Sequence, residues 1–383
     1  MNRPRVAVVA LLLPLGALAV WGSCAVYDPS LLLPGDAGTD VTEPDAGPEA
    51  ASCALAKYPE RPAKDDDAGA NVPDIVLAVQ RFEFAPSGDG GVARGFDLDE
   101  RCTCPGGGSC VPLKGAPTIC DDDAGRDNSA AQLLDTFTKV ASAFSPQKLN
   151  QKLQNGEFGL VVRVRNYNGT ANDTSVETAL FISNGTTSAT DGGPPITPKF
   201  DGNDSWTIDP RSLLGGVAPP YIPQPNTTDT AAYVRDGVFV ASLAAADLEF
   251  NAGTGLGSLR VNMTGVVVTG KLVPDGAGGY RVDDGVLAGR WPSQKFLTSI
   301  APIKDPITSD FLCGDASTYG SLKALICKNL DITSFPQNDN TNAPCDALSI
   351  ALGFVARTAK LGPVVTGVAP QQPCGPQWTD ECK

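Results

Sequence analysis

A chain of 383 residues, 42% of them apolar, is long enough to bury a sizeable core in one large domain or two. Its formal charge of -14 opposes binding to nucleic acid or to anionic lipid surfaces. The absence of histidine excludes Ser-His-Asp and Cys-His nucleophile systems, histidine-ligated zinc and a histidine pH switch.

The chain opens with MNRPRVAVVALLLPLGALAVWGSC, in which Arg3 and Arg5 precede an apolar run over residues 6–20 and Gly22 and Ser23 lead into Cys24. That run is shorter than the roughly 20 residues a spanning helix needs. Residues 1–23 are therefore expected to be a secretory signal peptide. The small residues before Cys24 resemble the lipobox of bacterial lipoproteins, departing from it at Trp21, where the pattern has an aliphatic residue. The resemblance implies a lipid on Cys24, a membrane partner through that anchor and, with Ala25 in place of aspartate, the outer membrane or cell surface as the location.

Residues 24–71 are rich in Asp, Ala, Gly and Pro, with DAG recurring at Asp36, Asp45 and Asp67. Such a segment buries too little apolar surface to offset its ordering entropy, and it is expected to be a disordered acidic tether. Cys53 is the exception, a staple for the tether's second half. A single domain follows over residues 72–383.

The chain has eleven cysteines. If Cys24 carries lipid, ten remain, in two groups: Cys53, Cys102, Cys104, Cys110 and Cys120, then Cys313, Cys327, Cys345, Cys374 and Cys382. Each group is odd in number, so full pairing requires at least one disulfide between them, across a cysteine-free middle. The rival use of CTCPGGGSC as a zinc or copper site gives way to disulfides in an oxidising compartment.

Within the domain, residues 72–156 form a Cys-rich segment with amphipathic helices. DIVLAVQRFEFA, residues 74–85, is β-prone and ends at a Pro-Ser-Gly turn. The acidic stretches GFDLDE and CDDDAGRDN bring Asp97, Asp99, Asp121, Asp122, Asp123, Asp127 and Asn128 into loops that disulfides would stiffen. Hard oxygen donors in that number suit Ca2+, the one metal the sequence offers as a cofactor, with Asp97, Asp99, Asp121, Asp123, Asp127 and Asn128 as candidate ligands. The spacing is not that of an EF-hand, and the bland alternative is a solvated loop whose Asp127 or Asn128 caps the next helix. That helix, residues 129–144, carries Leu133, Leu134, Phe137, Val140, Ala141 and Phe144 at helical spacing. Ser145-Pro146 restarts a second helix, PQKLNQKLQ, which Asn155-Gly156 ends.

Residues 157–300 read as β. In EFGLVVRVRNY, Phe158, Leu160, Val162 and Val164 alternate with Val161, Arg163 and Arg165, which predicts one wet face. SVETALFIS, then AAYVR and VFVASL about the hairpin signal Asp236-Gly237, continue the pattern. Leu259, Val261 and Met263, GVVVTGKLVP and YRVDDGVLAGRW complete it. Short turns without intervening helices predict an antiparallel β-sandwich or barrel-like sheet with a few packed helices, an α+β, mainly β fold stapled by disulfides at both ends. The long polar insertion at residues 188–230 and the nearby aromatics Trp206, Tyr221 and Trp291 offer a stacking surface for a ligand such as a carbohydrate. The alternative is that these rings are buried.

Residues 301–383 close the domain with cysteines and helix. TYGSLKALICKNL places Tyr319, Leu322, Leu325, Ile326 and Leu330 on about one face. CDALSIALGFVARTAKLG reads either as a helix over residues 347–354 or as a buried strand. Two function classes remain. One is an exported, lipid-anchored envelope protein with a non-catalytic binding or structural role, its ligand a carbohydrate or an envelope protein and not a nucleic acid. The other is an extracellular carbohydrate-active hydrolase using paired carboxylates, for which no E-x-D-x-x-E pattern appears.

Overall fold

Strand-forming runs at both ends of the domain, residues 75–83 and 347–358, meet in space and close the sheet on itself. A computed structural model of the chain describes residues 55–66, 70–84, 94–104, 108–122, 124–140, 142–187, 196–216, 224–251, 257–305, 308–340, 342–367, 373–375 and 378–383. In chain order the elements are β1 (Ile75–Glu83), α1 (Ser129–Val140), α2 (Pro146–Gln154), β2 (Gly159–Arg165), β3 (Asp173–Ser183), β4 (Ser205–Ile208), β5 (Thr227–Arg235), β6 (Val238–Asn251), β7 (Ser258–Lys271), β8 (Val273–Pro274), β9 (Tyr280–Pro292), α3 (Ser293–Ile300), α4 (Ala316–Lys328), β10 (Ala347–Thr358) and β11 (Lys360–Val364). All of them lie in one compact unit.

The hydrogen-bonded order is β10-β1-β2-β3-β5-β6-β7-β9, and β9 pairs in turn with β10, which makes an eight-stranded antiparallel closed barrel. Of the two sheet forms the pattern allowed, it is the barrel, and it recruits β1 and β10 from outside residues 157–300. Asp236 and Gly237 both take positive φ, 53° and 79°, as a two-residue hairpin between β5 and β6 requires. The segment left open between helix and strand is β10, buried along ten successive residues because both of its faces are covered.

Alternate side chains fill the barrel. Leu77, Val162, Leu180, Val234, Ala241, Val268, Leu287 and Phe354 belong to one buried cluster. This is the reverse of a membrane-spanning barrel, whose apolar band faces outward. One end is closed by helices. Phe137 and Phe144 pack toward Phe296 of α3, which stacks on Trp291 at 3.7 Å between ring centroids. On α2, Asn150 accepts from the Phe82 backbone N–H (2.8 Å) and donates to its carbonyl (2.9 Å), fixing the helix to the irregular end of β1.

The outer wall is covered in sectors. Over β1, β2 and β3, the side chains of Ala78, Val161, Ala179 and Phe181 are buried beneath Trp206 and Ile208 of β4, which pairs in parallel with β11. A Cβ at Gly159 would stand 2.5 Å from the Trp206 ring, so only glycine lets this ribbon lie flat on β2. The wet face expected for β2 is therefore dry except at its end: Val161 is covered, Arg163, 5% exposed, lies over the Phe181 ring and pairs with Glu177 at 3.0 Å, and only Arg165 keeps its side chain partly in solvent. Over β5, β6 and β7, Tyr58 packs edge-to-face on Phe96 above Tyr233, Val240 and Val267.

Residues 55–66, expected within the disordered tether, thus pack on the barrel ahead of the boundary at Val72. Arg61 lies over the Tyr233 ring and donates to the carbonyls of Thr174 and Ala231, and Asp65 accepts from the Thr174 N–H at 2.6 Å. Tethering by composition alone failed here because a few specific contacts (Tyr58, Arg61, Asp65) supply what the surrounding Asp-Ala-Gly sequence lacks.

Four disulfides join described residues: Cys104–Cys120, Cys110–Cys345, Cys313–Cys374 and Cys327–Cys382. Cys102 is also disulfide-bonded. Cys110–Cys345 is the bridge that parity requires, spanning 235 residues and tying the first cysteine group to the start of β10. Cys24 and Cys53 lie outside the described residues.

Candidate metal centre

The third sector of the outer wall, over β9 and β10, is covered by polar loops. Leu348, Ile350 and Leu352 point into the barrel core, so their neighbours Ser349 and Ala351 face outward, as does Arg290 beside Trp291 on β9. The loop at residues 94–101 lies against this sector. Gly95 has φ 133°, and a Cβ there would meet the Ala351 Cβ at 3.1 Å and the Asp127 carbonyl at 3.2 Å. The Asp127 N–H donates to the Phe96 carbonyl (3.0 Å) and the Asp97 N–H to the Ala56 carbonyl (3.0 Å), so three separate stretches of chain converge. Thr103 and Asp121 exchange bonds beside the Cys104–Cys120 bridge, which seats the second acidic loop.

This convergence places Asp97, Asp99 and Asp127 together, 7%, 7% and 4% exposed. Each contributes a carboxylate oxygen, and the three oxygens lie within 4.8 Å of one another. Their known hydrogen bonds are few: the Arg101 N–H donates to Oδ1 of Asp97 (3.2 Å) and of Asp99 (2.9 Å), and the Leu98 N–H donates to Oδ2 of Asp127 (2.6 Å). Oδ2 of Asp97 and Oδ2 of Asp99 are buried and accept from nothing. Asp121, half-buried, stands at the rim, and its Oδ2 accepts from the Thr103 N–H at 2.8 Å.

Crowding of like charges shows in their acidity. Burial, with the Asp99 carboxylate next, pushes Asp97 up to about 6. Burial and then Asp99, Asp331 and Asp121 hold Asp127 well above the usual carboxylate range, and burial also raises Asp121.

Of the six ligands proposed from sequence, the fold assembles Asp97, Asp99 and Asp127, with Asp121 at the edge. Asp123 lies outside the described residues. Asn128 is turned away: its Oδ1 accepts from the Ala351 N–H (3.0 Å), and its Nδ2 donates to the carbonyls of Arg94 (3.2 Å) and Ala351 (3.3 Å). It cannot also serve the cluster, because those bonds anchor it to the edge of β10. Nor does its side chain cap α1, whose first N–H, that of Ser129, donates instead to Ser349 Oγ at 2.8 Å.

No family model, curated protein or solved structure matches the chain. The chemistry of the sector therefore rests on its own residues, and two of them have no sequence signal of the kind that marked the acidic loops. Asp331 is half-buried, accepting from Ser129 Oγ (2.7 Å) and the Ser349 N–H (2.9 Å), and burial pushes it up to about 6. Arg290, 0% exposed, donates from Nη2 to the Leu98 carbonyl (2.6 Å) and pairs with Asp339 through both terminal nitrogens. A charged residue between apolar ones in GRW could have marked Arg290 as buried and paired.

The aromatic surface expected from sequence does not form. Trp206 and Trp291 are both 0% exposed, one under the β4–β11 ribbon and the other in the barrel end, so neither offers a face for stacking. Tyr221 lies outside the described residues. A cavity lined by Leu134, Phe137, Phe144, Phe250, Trp291 and Leu352 has about 20 Å³, little more than a water needs and far below a sugar.

Proposed function

We propose that the chain is an exported cell-envelope protein, lipid-anchored through Cys24 at the outer membrane or cell surface, with a non-catalytic binding or structural role. The observation that carries this reading is the state of its thiols: all nine described cysteines are disulfide-bonded. A protein so stapled matures in an oxidising compartment. The packed barrel lends support, since its lumen is filled by side chains, and the carboxylates that do converge sit under a loop layer instead of facing each other across a cleft. Among the described residues no helix is long and apolar enough to cross a membrane.

Mass spectrometry of the mature N-terminus is expected to find a diacylglyceryl group on Cys24, and Cys24→Ala is expected to move the protein from the membrane fraction into the soluble one. A mature chain beginning beyond Cys24 without lipid would overturn the anchor.

A further inference from the structure

We propose that Asp97, Asp99 and Asp127, with Asp121 at the rim, form a calcium site that fastens the loops at residues 94–101 and 121–128 to the β9–β10 wall. An acidic cluster alone would not carry this. The deciding feature is that two of its side chains, each 7% exposed, hold an oxygen with no donor to satisfy it, Oδ2 of Asp97 and Oδ2 of Asp99. Buried carboxylate oxygens are ordinarily hydrogen-bonded or ion-paired, because leaving them dry and unpaired is costly.

The neighbouring cations are engaged elsewhere. Arg290 pairs with Asp339, Arg94 with Glu83 and Asp284, and Arg126 with Asp122. Arg101 gives the cluster its backbone N–H. What would balance the charge is a cation from solution.

The donor set selects the kind of cation. All the groups are hard oxygens, every described cysteine is disulfide-bonded, and the chain has no histidine, so soft and borderline metals find no ligands of their own. No two of these oxygens are more than 4.8 Å apart, which is twice a Ca–O distance of about 2.4 Å, so one ion can bridge any pair of them and draw the third inward. Calcium tolerates irregular shells of 6–8 oxygens, so three carboxylates and a fourth at the rim leave room for waters and carbonyls. Magnesium demands a tighter octahedron and gives up its water reluctantly.

The test uses the mature protein, stripped with chelator and dialysed. Calcium chloride is expected to give a one-site calorimetric isotherm and, at about 100-fold excess over Kd, to raise the melting temperature by about 5 °C. Magnesium chloride at the same concentration is expected to raise it less. Asp99→Asn is expected to abolish both the heat and the shift, while its chelated form melts no lower than chelated wild type, which shows that the variant folds and that the lost charge was uncompensated. Glu100→Gln, at an exposed position in the same turn, keeps the wild-type response. Absence of heat and shift in stripped wild type, or a full shift in both Asp97→Asn and Asp99→Asn, would overturn the site. A magnesium response equal to that of calcium would overturn the choice of ion.

Discussion

Two clusters of buried charge meet at Leu98, and they are built on opposite principles. On one side of its peptide, Arg290 is fully enclosed and its charge is paired: five hydrogen bonds run from its two terminal nitrogens to Asp339, Thr333 and the Leu98 carbonyl, and only its Nε is left without a partner. On the other side, Asp97, Asp99 and Asp127 are buried too, yet two of their oxygens accept nothing. The first arrangement has its countercharge within the chain, in Asp339, whereas the second draws on none of the cations paired around it. The same loop thus shows what a purely structural use of buried charge looks like, and why its neighbour reads as a binding site.

The largest expected effect comes from loosening the frame on which both clusters rest. Cys110–Cys345 closes 235 residues, for which the chain-entropy model gives about 5 kcal/mol of stabilisation. Cys110→Ser paired with Cys345→Ser is expected to lower the unfolding free energy by an amount approaching that figure, measured by denaturant titration. It should also weaken the calcium response, since the bridge seats the loop ahead of Asp121. A double variant as stable as wild type would show that the clusters do not depend on the staple.

Breaking the matched cluster comes next. Arg290→Met leaves Asp339, itself only 10% exposed at its side chain, without its partner and strips the Leu98 carbonyl of its donor. Removing one member of a buried ion pair costs about 3–5 kcal/mol. The contrast with Asp99→Asn is the sharper result: neutralising a residue of the matched cluster should destabilise, and neutralising one of the unmatched cluster should not. Equal losses from the two substitutions would erase the distinction.

How far the sequence could reach follows from which faces are covered by distant chain. α2 was legible because Pro146 fixes its start and Asn155-Gly156 its end, both local signals. The hairpin at Asp236-Gly237 was legible for the same reason. β2 was legible as a strand but not in its burial, because the ribbon that dries Val161 comes from residues 205–208 and 360–364. β10 stayed ambiguous because burial on both faces removes the alternation that separates strand from helix. α3 was missed, being only eight residues and directly continuous with β9.

The candidate site divides in the same way. Asp97, Asp99 and Asp127 were visible as oxygen-rich loops between cysteines, since donor type and density are written in composition. Which of them converge is set by Gly95, by the Cys104–Cys120 bridge and by the wall at Ser349 and Ala351, and that is tertiary information. Asn128 shows the limit: its side chain was equally suited to a metal, and the open backbone of Ala351 claimed it.

The smallest effect is the dependence of stability on pH, and it distinguishes the unmatched cluster with and without its cation. Burial pushes Asp97 and Asp331 up to about 6 from an unfolded value of 3.8. An acid whose native pKa lies above its unfolded one binds more protons folded than unfolded between the two values, so the unfolding free energy falls as pH rises through that window. The stability these groups contribute is therefore present in full below pH 3.8 and lost by the time pH has passed about 6. Carboxylates held low, such as Asp283 by Arg281 and Asp275 by Thr358, act in the opposite sense, but only below 3.8. In chelator, the melting temperature is expected to rise as pH is lowered from 7 to 5. Saturating calcium should reverse or flatten that trend, because the ion binds the ionised carboxylates and protons compete with it. The two curves should be furthest apart near pH 7 and converge toward pH 5. A chelated protein less stable at pH 5 than at pH 7 would mean that these carboxylates are already matched by charges of the chain itself.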